Sequence, residues 1–356
     1  MLIGILKPSF SVMEIEKIFM VVAHCHGHQS YVFTAKNVDF SSRTILGKSL
    51  IHGEVTVKRF PFPDLIQNRL SINEEDVLTY VKLAKEIYFT THHIETKFEL
   101  YKKMREHDLV KKYVVESERC DNFDILIYYI LKYNYIVLKP MSSKQAIGVY
   151  TIQVFENKFI VKAFDQETLF NKGELNIFFN MKIKNKRFFI SPFIASKTNN
   201  NLTSVFRLHM VVGKGGEWKK IKFFPYVNLR DEQDVANGIQ GALISTREEL
   251  FLQQYYPDSY QRILFGVDQL FRDMVCFMHN LYDWPVEAIG IDIGITQEGE
   301  MRIFEVNAAP GIGFMAYPVA EQQILYYEWI LEQGCKLPVS NFLPRRYKNY
   351  YNISLE

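Results

Sequence analysis

The stretch GIDIGITQEGEMRIFEVNAAPGIGF, residues 290–314, constrains the fold more than any other part of the chain. Ala288 to Thr296 is Ile-rich and alternates with small residues, Met301 to Asn307 alternates too, and Gln297-Glu298-Gly299-Glu300 lies between them as a turn signal. A two-residue loop at Glu298-Gly299 pairs Gln297 with Glu300. Counting outward sets Asp292 opposite Glu305 and Gly290 opposite Asn307. Side chains alternate faces with period 2, so Asp292, Glu305 and Asn307 share one face while Ile289, Ile291, Ile293 and Ile295 fill the other. Directly opposed like charges repel, so two carboxylates placed this way need a reason. Gly290 and Gly294 are expected to leave open space beside them. Three oxygen ligands around a gap suit a hard ion such as Mg²⁺, which keeps waters and binds substrate phosphates. The alternative is a solvated hairpin face, against which the Ile-rich strand argues.

A chain of 356 residues is long enough for two or three packed domains. Its net charge of +2 gives no electrostatic reason to expect nucleic acid or a membrane surface as a partner. Cys25, Cys120, Cys276 and Cys335 are far apart and form no CxxC pair, which reads as reduced thiols in a cytosolic protein. No stretch approaches the roughly 18 apolar residues of a membrane span. MLIGILKPSF reads as a first strand.

The first ninety or so residues pattern as a small α/β unit: strand LIGIL, a helix from Val12 to about Ala23 ended by Gly27, strand SYVFT, and extended segments from Val38 to Lys58 with turn points at Gly47 and Gly53. Asn73 caps a further helix. Helices follow at about 95–107 and 123–132, then strand YIVLKP and a hairpin turning at Glu156-Asn157. A helix is expected over about 166–179. FFISPFI, SVFRLHMVVG and EWKKIKFFPYVNL are expected to form one antiparallel sheet, followed by two helices over 247–255 and 260–281. The fold class is therefore α+β with an α/β N-terminal unit. The expected boundaries are 1–92 for that unit, 93–186 for a central lobe, 187–340 for a C-terminal lobe with the acidic hairpin, and 341–356 for a tail.

Other cations and hydroxyls are candidates for a phosphate. Lys139 ends a strand before a loop holding Ser142, Ser143 and Gly148, which can fold N–H groups and hydroxyls around phosphate oxygens; an ordinary hairpin turn explains it equally well. Arg207 is a charge among apolar residues and needs a partner, either a phosphate or carboxylate or a structural ion pair. Lys97 begins a helix among several lysines, where a solvated face is the default. HCHGH, residues 24–28, lacks a second ligand pair for Zn²⁺, and histidines ending a helix also complement its dipole. A nucleophile elbow, a P-loop and Rossmann glycines are absent from the sequence.

With these residues in view, the chain resembles the ATP-grasp superfamily, and within it the YheC/YheD endospore-coat-associated family, over most of its length. FPFPDLIQNR resembles that family's Pro-x-Pro-Asp and Asn-Arg pattern, with Gln67 where Tyr is usual. YIVLKP resembles the strand of the second nucleotide lysine, VNLRDEQDVANGIQGA an Arg…Asn…Gly stretch, and AIGIDIGI…FEVNAAPG the terminal Asp…Glu-x-Asn…Pro-Gly signature. The resemblance implies an ATP-grasp fold in which two α+β lobes grip ATP. It implies a carboxylate–amine ligase working through an acyl phosphate, as in glutathione synthetase, D-alanine–D-alanine ligase and the ribosomal-protein glutamate ligases. Lys97, Lys139, Ser142, Ser143 and Gly148 would then contact ATP, and Asp292, Glu305 and Asn307 would hold one or two Mg²⁺ ions. Arg207, Arg230 and Asn237 would steady the phosphates and the intermediate. The implied substrates are an amino acid, peptide or peptide-like acid and an amine; a homo-oligomer is left open. The chain departs from the pattern at the glycine-poor SSKQAIG loop, at Val205 where an acid is usual, and at Ser191-Pro192 between the lobes. Those departures keep two alternatives: a degenerate ATP-grasp scaffold associated with the spore coat, and an ATP-dependent phosphotransferase.

Overall fold

The computed structural model describes residues 1–70, 74–94, 96–140, 148–163, 166–229, 242–279 and 281–334. The N-terminal unit runs β1 (Leu2–Leu6), α1 (Glu14–Cys25), β2 (Gln29–Phe33), β3 (Val38–Asp39), β4 (Thr44–Ile51), β5 (Glu54–Pro61), β6 (Leu65–Asn68), α2 (Val77–Glu86) and β7 (Tyr88–Phe89). Its strands lie in the order β3-β4-β2-β1-β6-β7, with β5 paired to β4. β1 runs parallel to both β2 and β6, and β6 parallel to β7. Strands buried on both faces carry continuous apolar runs. Accordingly Leu6, Phe33 and Ile66 pack under α2, while Ile3, Ile5, Val32 and Leu65 pack under α1. Gly47 is not a turn point. It lies inside β4, where a Cβ would strike the Tyr31 ring. Gly53, at φ 85°, does make the β4–β5 turn.

The middle segment runs α3 (Lys97–Glu106), β8 (Glu118–Arg119), α4 (Phe123–Tyr133), β9 (Tyr135–Pro140), β10 (Tyr150–Phe155), β11 (Lys158–Ala163), β12 (Gln166–Phe170), α5 (Lys172–Lys182) and β13 (Phe188–Pro192). Its sheet has the order β12-β11-β10-β9-β13-β8 and is covered by α4 and α5. The helix expected over 166–179 is a strand up to Phe170, paired to β11, and a helix only after it. Asn171 is the reason: its side chain caps Glu174 N while Glu174 reaches back to Asn171 N. FFISP pairs with β9 here and not with the SVFRLHMVV strand, so this sheet extends to Pro192, past the expected boundary at 186.

The last segment runs β14 (Ser204–Val212), β15 (Trp218–Val227), β16 (Leu243–Ile244), α6 (Glu248–Tyr255), α7 (Tyr260–Met278), β17 (Ala288–Ile295), β18 (Met301–Ala308) and α8 (Ala316–Glu332). The sheet order is β16-β15-β14-β17-β18. One face, carrying Ile289, Ile291, Ile293 and Ile295, packs on α6, α7 and the Leu100 and Met104 side of α3. α8 leaves this sheet to pack on the N-terminal unit, where Ile324 and Tyr327 join the core of Phe19, Ile3 and Leu65. Among the described residues no helix is long and apolar enough to cross a membrane.

The space expected beside Gly294 is filled, because the Phe304 ring lies where its Cβ would be. Gly294→Ala is therefore expected to cost about 2 kcal/mol of stability, as an overpacked site does. At Gly311 a Cβ would meet nothing within 4 Å. Gly311→Ala should thus stay within about 0.5 kcal/mol of wild type, with urea titration of both variants as the check.

Candidate functional site

Asp292 and Glu305 do lie opposite each other, as do Gly290 and Asn307. The loop that brings them there is not the expected one. Thr296 and Glu300 close it through Thr296 N to Glu300 O at 3.0 Å and Gly299 N to Thr296 O at 2.9 Å, leaving three loop residues. Gly299 supplies the left-handed conformation at φ 82°. This turn shifts the first pairs by one residue, to Ile295–Met301 and Ile293–Ile303. A bulge then leaves Phe304 without an opposite residue and restores the counted register at Asp292–Glu305. Around Gly290 the expected gap is also closed, since a Cβ there would meet Pro310 Cβ at 2.7 Å.

Two cations answer the two carboxylates. Arg207, opposite Asp292 on β14, donates from Nε to Oδ1 at 2.8 Å and from Nη2 to Oδ2 at 2.7 Å. Lys97, the first residue of α3, places Nζ 2.8 Å from Glu305 Oε1. The guanidinium fork matches a carboxylate with two parallel bonds, whereas the lysine is a movable point charge. Lys139 on β9 puts its ammonium 5.0 Å from the centre of the Phe304 ring. Lys97, Lys139, Arg207, Asp292 and Glu305 thus meet at one place, with Asn307 two residues farther along the same strand face. Gly148, at φ 76°, stands just before β10. Ser142, Ser143, Arg230 and Asn237 lie outside the described residues.

The electrostatics follow from burial among fixed charges. Burial raises the Asp292 carboxyl, and Arg207 opposes that rise. Burial lowers Arg207, but the Asp292 contact outweighs it, so its charge is secured. Lys139 is pushed down by burial and by Lys97, against the pull of Glu305 and Asp292. Asp292, Glu305 and the Asn307 amide together offer the hard oxygen donors that a divalent cation takes. The Lys97 ammonium against Glu305 shows that positive charge is already accommodated there. Among the described residues no cluster of three His, Cys, Asp or Glu side chains is arranged for a metal.

Several residues at this place gave no signal on their own. Tyr101 donates from its hydroxyl to Phe304 O at 2.6 Å, fixing the bulge; its position one turn after Lys97 on the same helix face was a usable clue. Tyr226 lies opposite Val205, the position that departs from the family pattern, and its ring centre is 5.7 Å from the Arg207 guanidinium. His209 is fully buried next along this face, and neither ring nitrogen has a partner among the described residues. HCHGH is occupied otherwise: His28 Nε2 lies 2.8 Å from Glu328 Oε1 and His26 Nε2 3.5 Å from Glu321 Oε1, tying α1 to α8.

A family model described as YheC/D like ATP-grasp matches residues 86–332. The chain is 17% identical over 265 residues to the endospore coat-associated protein YheC of Bacillus subtilis (strain 168), covering 70% of this chain and 71% of that one. It is similar in structure to a Chryseobacterium gregarium RiPP-associated ATP-grasp ligase in complex with ADP and a leader and core peptide. There the TM-score is 0.55 at 11% identity, covering 96% of this chain and 99% of the other. For the ATP-grasp ligase PsnB with a minimal precursor, Mg and ADP, the TM-score is 0.52 at 11% identity, covering 91% of this chain and 96% of the other. The macrocyclase MdnC from Microcystis aeruginosa MRC, bound with precursor peptide MdnA, gives 0.52 at 11% identity, covering 91% and 98%. At these identities the likeness is one of fold, and the fold is ATP-grasp.

The buried histidines make a test of the packing around this face. Burial holds His209 down at about 4 and His92 at about 3. The unfolded chain therefore binds more protons below pH 6.5, and stability must fall as pH drops from 6.5 toward 4. At ~1.4 kcal/mol per pH unit, His209 alone accounts for about 3 kcal/mol of that loss. His209→Leu is expected to flatten the curve by this amount in urea titrations at several pH values; a variant curve parallel to wild type would contradict it.

Proposed function

The chain belongs to the YheC/D-like ATP-grasp family, and on that premise we propose that it is an ATP-dependent carboxylate–amine ligase. Its acid substrate is an amino acid, peptide or peptide-like molecule, and its products are an amide, ADP and phosphate. One observation carries the reading: two carboxylates are held opposite each other and faced by two cations of different mobility. The fold shared with ligases solved with ADP, Mg and precursor peptides supports it.

In this reading a carboxylate oxygen of the acid attacks the γ-phosphorus, the bond to the ADP oxygen breaks, and an acyl phosphate forms. The amine nitrogen then attacks the acyl carbon, phosphate leaves, and the amine loses a proton. Little of this is covalent chemistry for the protein, so its work is positioning and charge. Asp292, Glu305 and Asn307 would hold one or two Mg²⁺ ions, which when bound would supply positive charge to neutralise the phosphates. Lys97 leaves Glu305 for the phosphates, and Lys139, buried beside them, meets them with a charge that burial has left poorly compensated. Arg207 stays clamped to Asp292 and presents its remaining N–H groups to the acyl phosphate. Roles for Ser142, Ser143, Gly148, Arg230 and Asn237 in holding the phosphates belong to the same proposal. A second reading, a scaffold without turnover, draws on the likeness to a coat-associated protein.

Hydroxylamine separates these readings, because it captures an acyl phosphate as a hydroxamate. With Mg-ATP and a panel of amino acids and short peptides, the expected result is hydroxamate formed in step with ADP. Glu305→Gln/Asn307→Ala should reduce it at least about 100-fold, as loss of a main charge-stabilising element does. ADP without hydroxamate would indicate phosphotransfer to an alcohol, and no ADP with any acid would indicate the scaffold.

A further inference from the structure

The segment Pro61-Phe-Pro-Asp-Leu-Ile-Gln-Asn-Arg69 has no part in the ATP chemistry, yet nearly every polar group in it is anchored. Asp64 Oδ2 accepts from Leu2 N at 2.7 Å. Gln67 Nε2 donates to Tyr327 OH at 2.9 Å and to Gln323 Oε1 at 3.1 Å, both on α8. Asn68 Nδ2 donates to Tyr80 OH at 2.8 Å, and its Oδ1 accepts from Leu70 N at 3.1 Å. Leu70 is held at φ 56°, a conformation that a branched side chain avoids. The product of these bonds is one fixed turn that presents Arg69.

Arg69 does not stand alone. Glu16, almost fully buried, receives Lys7 Nζ at 3.0 Å on Oε2 and lies 3.4 Å from Arg69 Nη2 through Oε1. One carboxylate therefore serves two cations, and Arg69 Nε is buried without a partner among the described residues. The carboxylate of Glu287 faces this region from the C-terminal lobe, but Tyr327 OH at 2.8 Å and Gln323 Nε2 at 3.2 Å hold it. Glu287 adds a second carboxylate charge near Arg69, so what is left over is a buried guanidinium N–H at Arg69 Nε with no acceptor among the described residues, and the oxygen of an anion entering the crevice is the acceptor that suits it.

The location agrees. Lys7 and Arg69 are the residues immediately after β1 and β6, at the carboxyl ends of two adjacent parallel strands. The chain passes from β1 to β2 on one side and returns to β6 on the other, so the strand order reverses between them. Open parallel sheets bind their ligands in the crevice at that reversal.

We propose that this crevice binds a substrate carboxylate other than the one that is phosphorylated, with Arg69 and Lys7 as its cations. Glu287 N donates to Thr91 Oγ1 at 3.3 Å, so the N-terminal unit meets β17 five residues before Asp292. At ~3.3 Å per residue that is roughly 16 Å of strand. A free amino acid is too short for both places; an extended peptide of about five residues reaches. The identity of the ligand as substrate rests on the ligase reading, while the anion site itself does not.

The test uses pentaalanine and its C-terminal amide, titrated into the full chain without nucleotide. Mg-ATP binding is measured separately as a check on fold and on the ligase reading. The acid is expected to bind at least about tenfold tighter than the amide. Arg69→Met and Lys7→Met should each remove that preference while Mg-ATP affinity stays unchanged, and Arg69→Lys should keep part of it. Equal binding of acid and amide, binding of neither, or a preference that survives Arg69→Met would overturn the proposal. A preference seen in a wild type that binds no Mg-ATP would uphold the anion site and sink the ligase.

Discussion

The bidentate pair between Arg207 and Asp292 is the contact on which the candidate site depends. Asp292 is set on an Ile-rich strand whose other face is core, directly across from a second carboxylate, and burial alone would drive it toward its neutral form. Arg207 opposes that shift. Because the guanidinium is planar and permanently protonated, it fixes the carboxylate as well as compensating it. Glu305 is treated differently: its partner Lys97 comes from a helix of another segment and ends a flexible stem. One carboxylate is gripped by a planar fork, and the other is met by a single ammonium on a flexible stem.

The lobes are joined by elements that cross between sheets. α3 supplies Lys97 to the acidic hairpin while its Leu100 and Met104 are buried in the C-terminal core, so the helix cannot shift without disturbing that core. α8 begins beside the residues that follow Asn307 and ends in the N-terminal unit, where its Gln323 and Tyr327 hold Gln67 and Glu287. The fixed turn that carries Arg69 and the start of β17 are thereby parts of one polar network. Gln67 Nε2, Tyr327 OH, Gln323 Nε2 and Glu287 hydrogen-bond to one another in it, while Gln67 Oε1 and Arg69 Nε have no partner among the described residues.

Much of this was legible in the sequence, and the failures have identifiable causes. The Asp292–Glu305 pairing could be counted from the turn, although two features invisible to the count, a three-residue loop and a bulge at Phe304, had to cancel for it to hold. Gly290 and Gly294 looked like space because a missing Cβ is all that sequence shows; what fills it, Pro310 and Phe304, is decided by the chain's path after the strand. Gln166–Phe170 is short, mostly polar and exposed, so it carries no strand alternation to separate it from the helix that Asn171 caps. FFISP went to the wrong sheet because strand periodicity carries no information about partners. Arg69 and Lys7 are separated by most of the N-terminal unit, and only the strand order brings them together.

The most direct measurement is calorimetric titration of ATP with and without Mg²⁺, on wild type and on Glu305→Ala/Asn307→Ala. The expected result is Mg²⁺-dependent binding near micromolar, about −8 kcal/mol, which the double variant loses while keeping its fold. A wild type that binds no nucleotide, or a variant that binds Mg-ATP as tightly as wild type, would contradict the claim that the opposed carboxylates form a metal–nucleotide site.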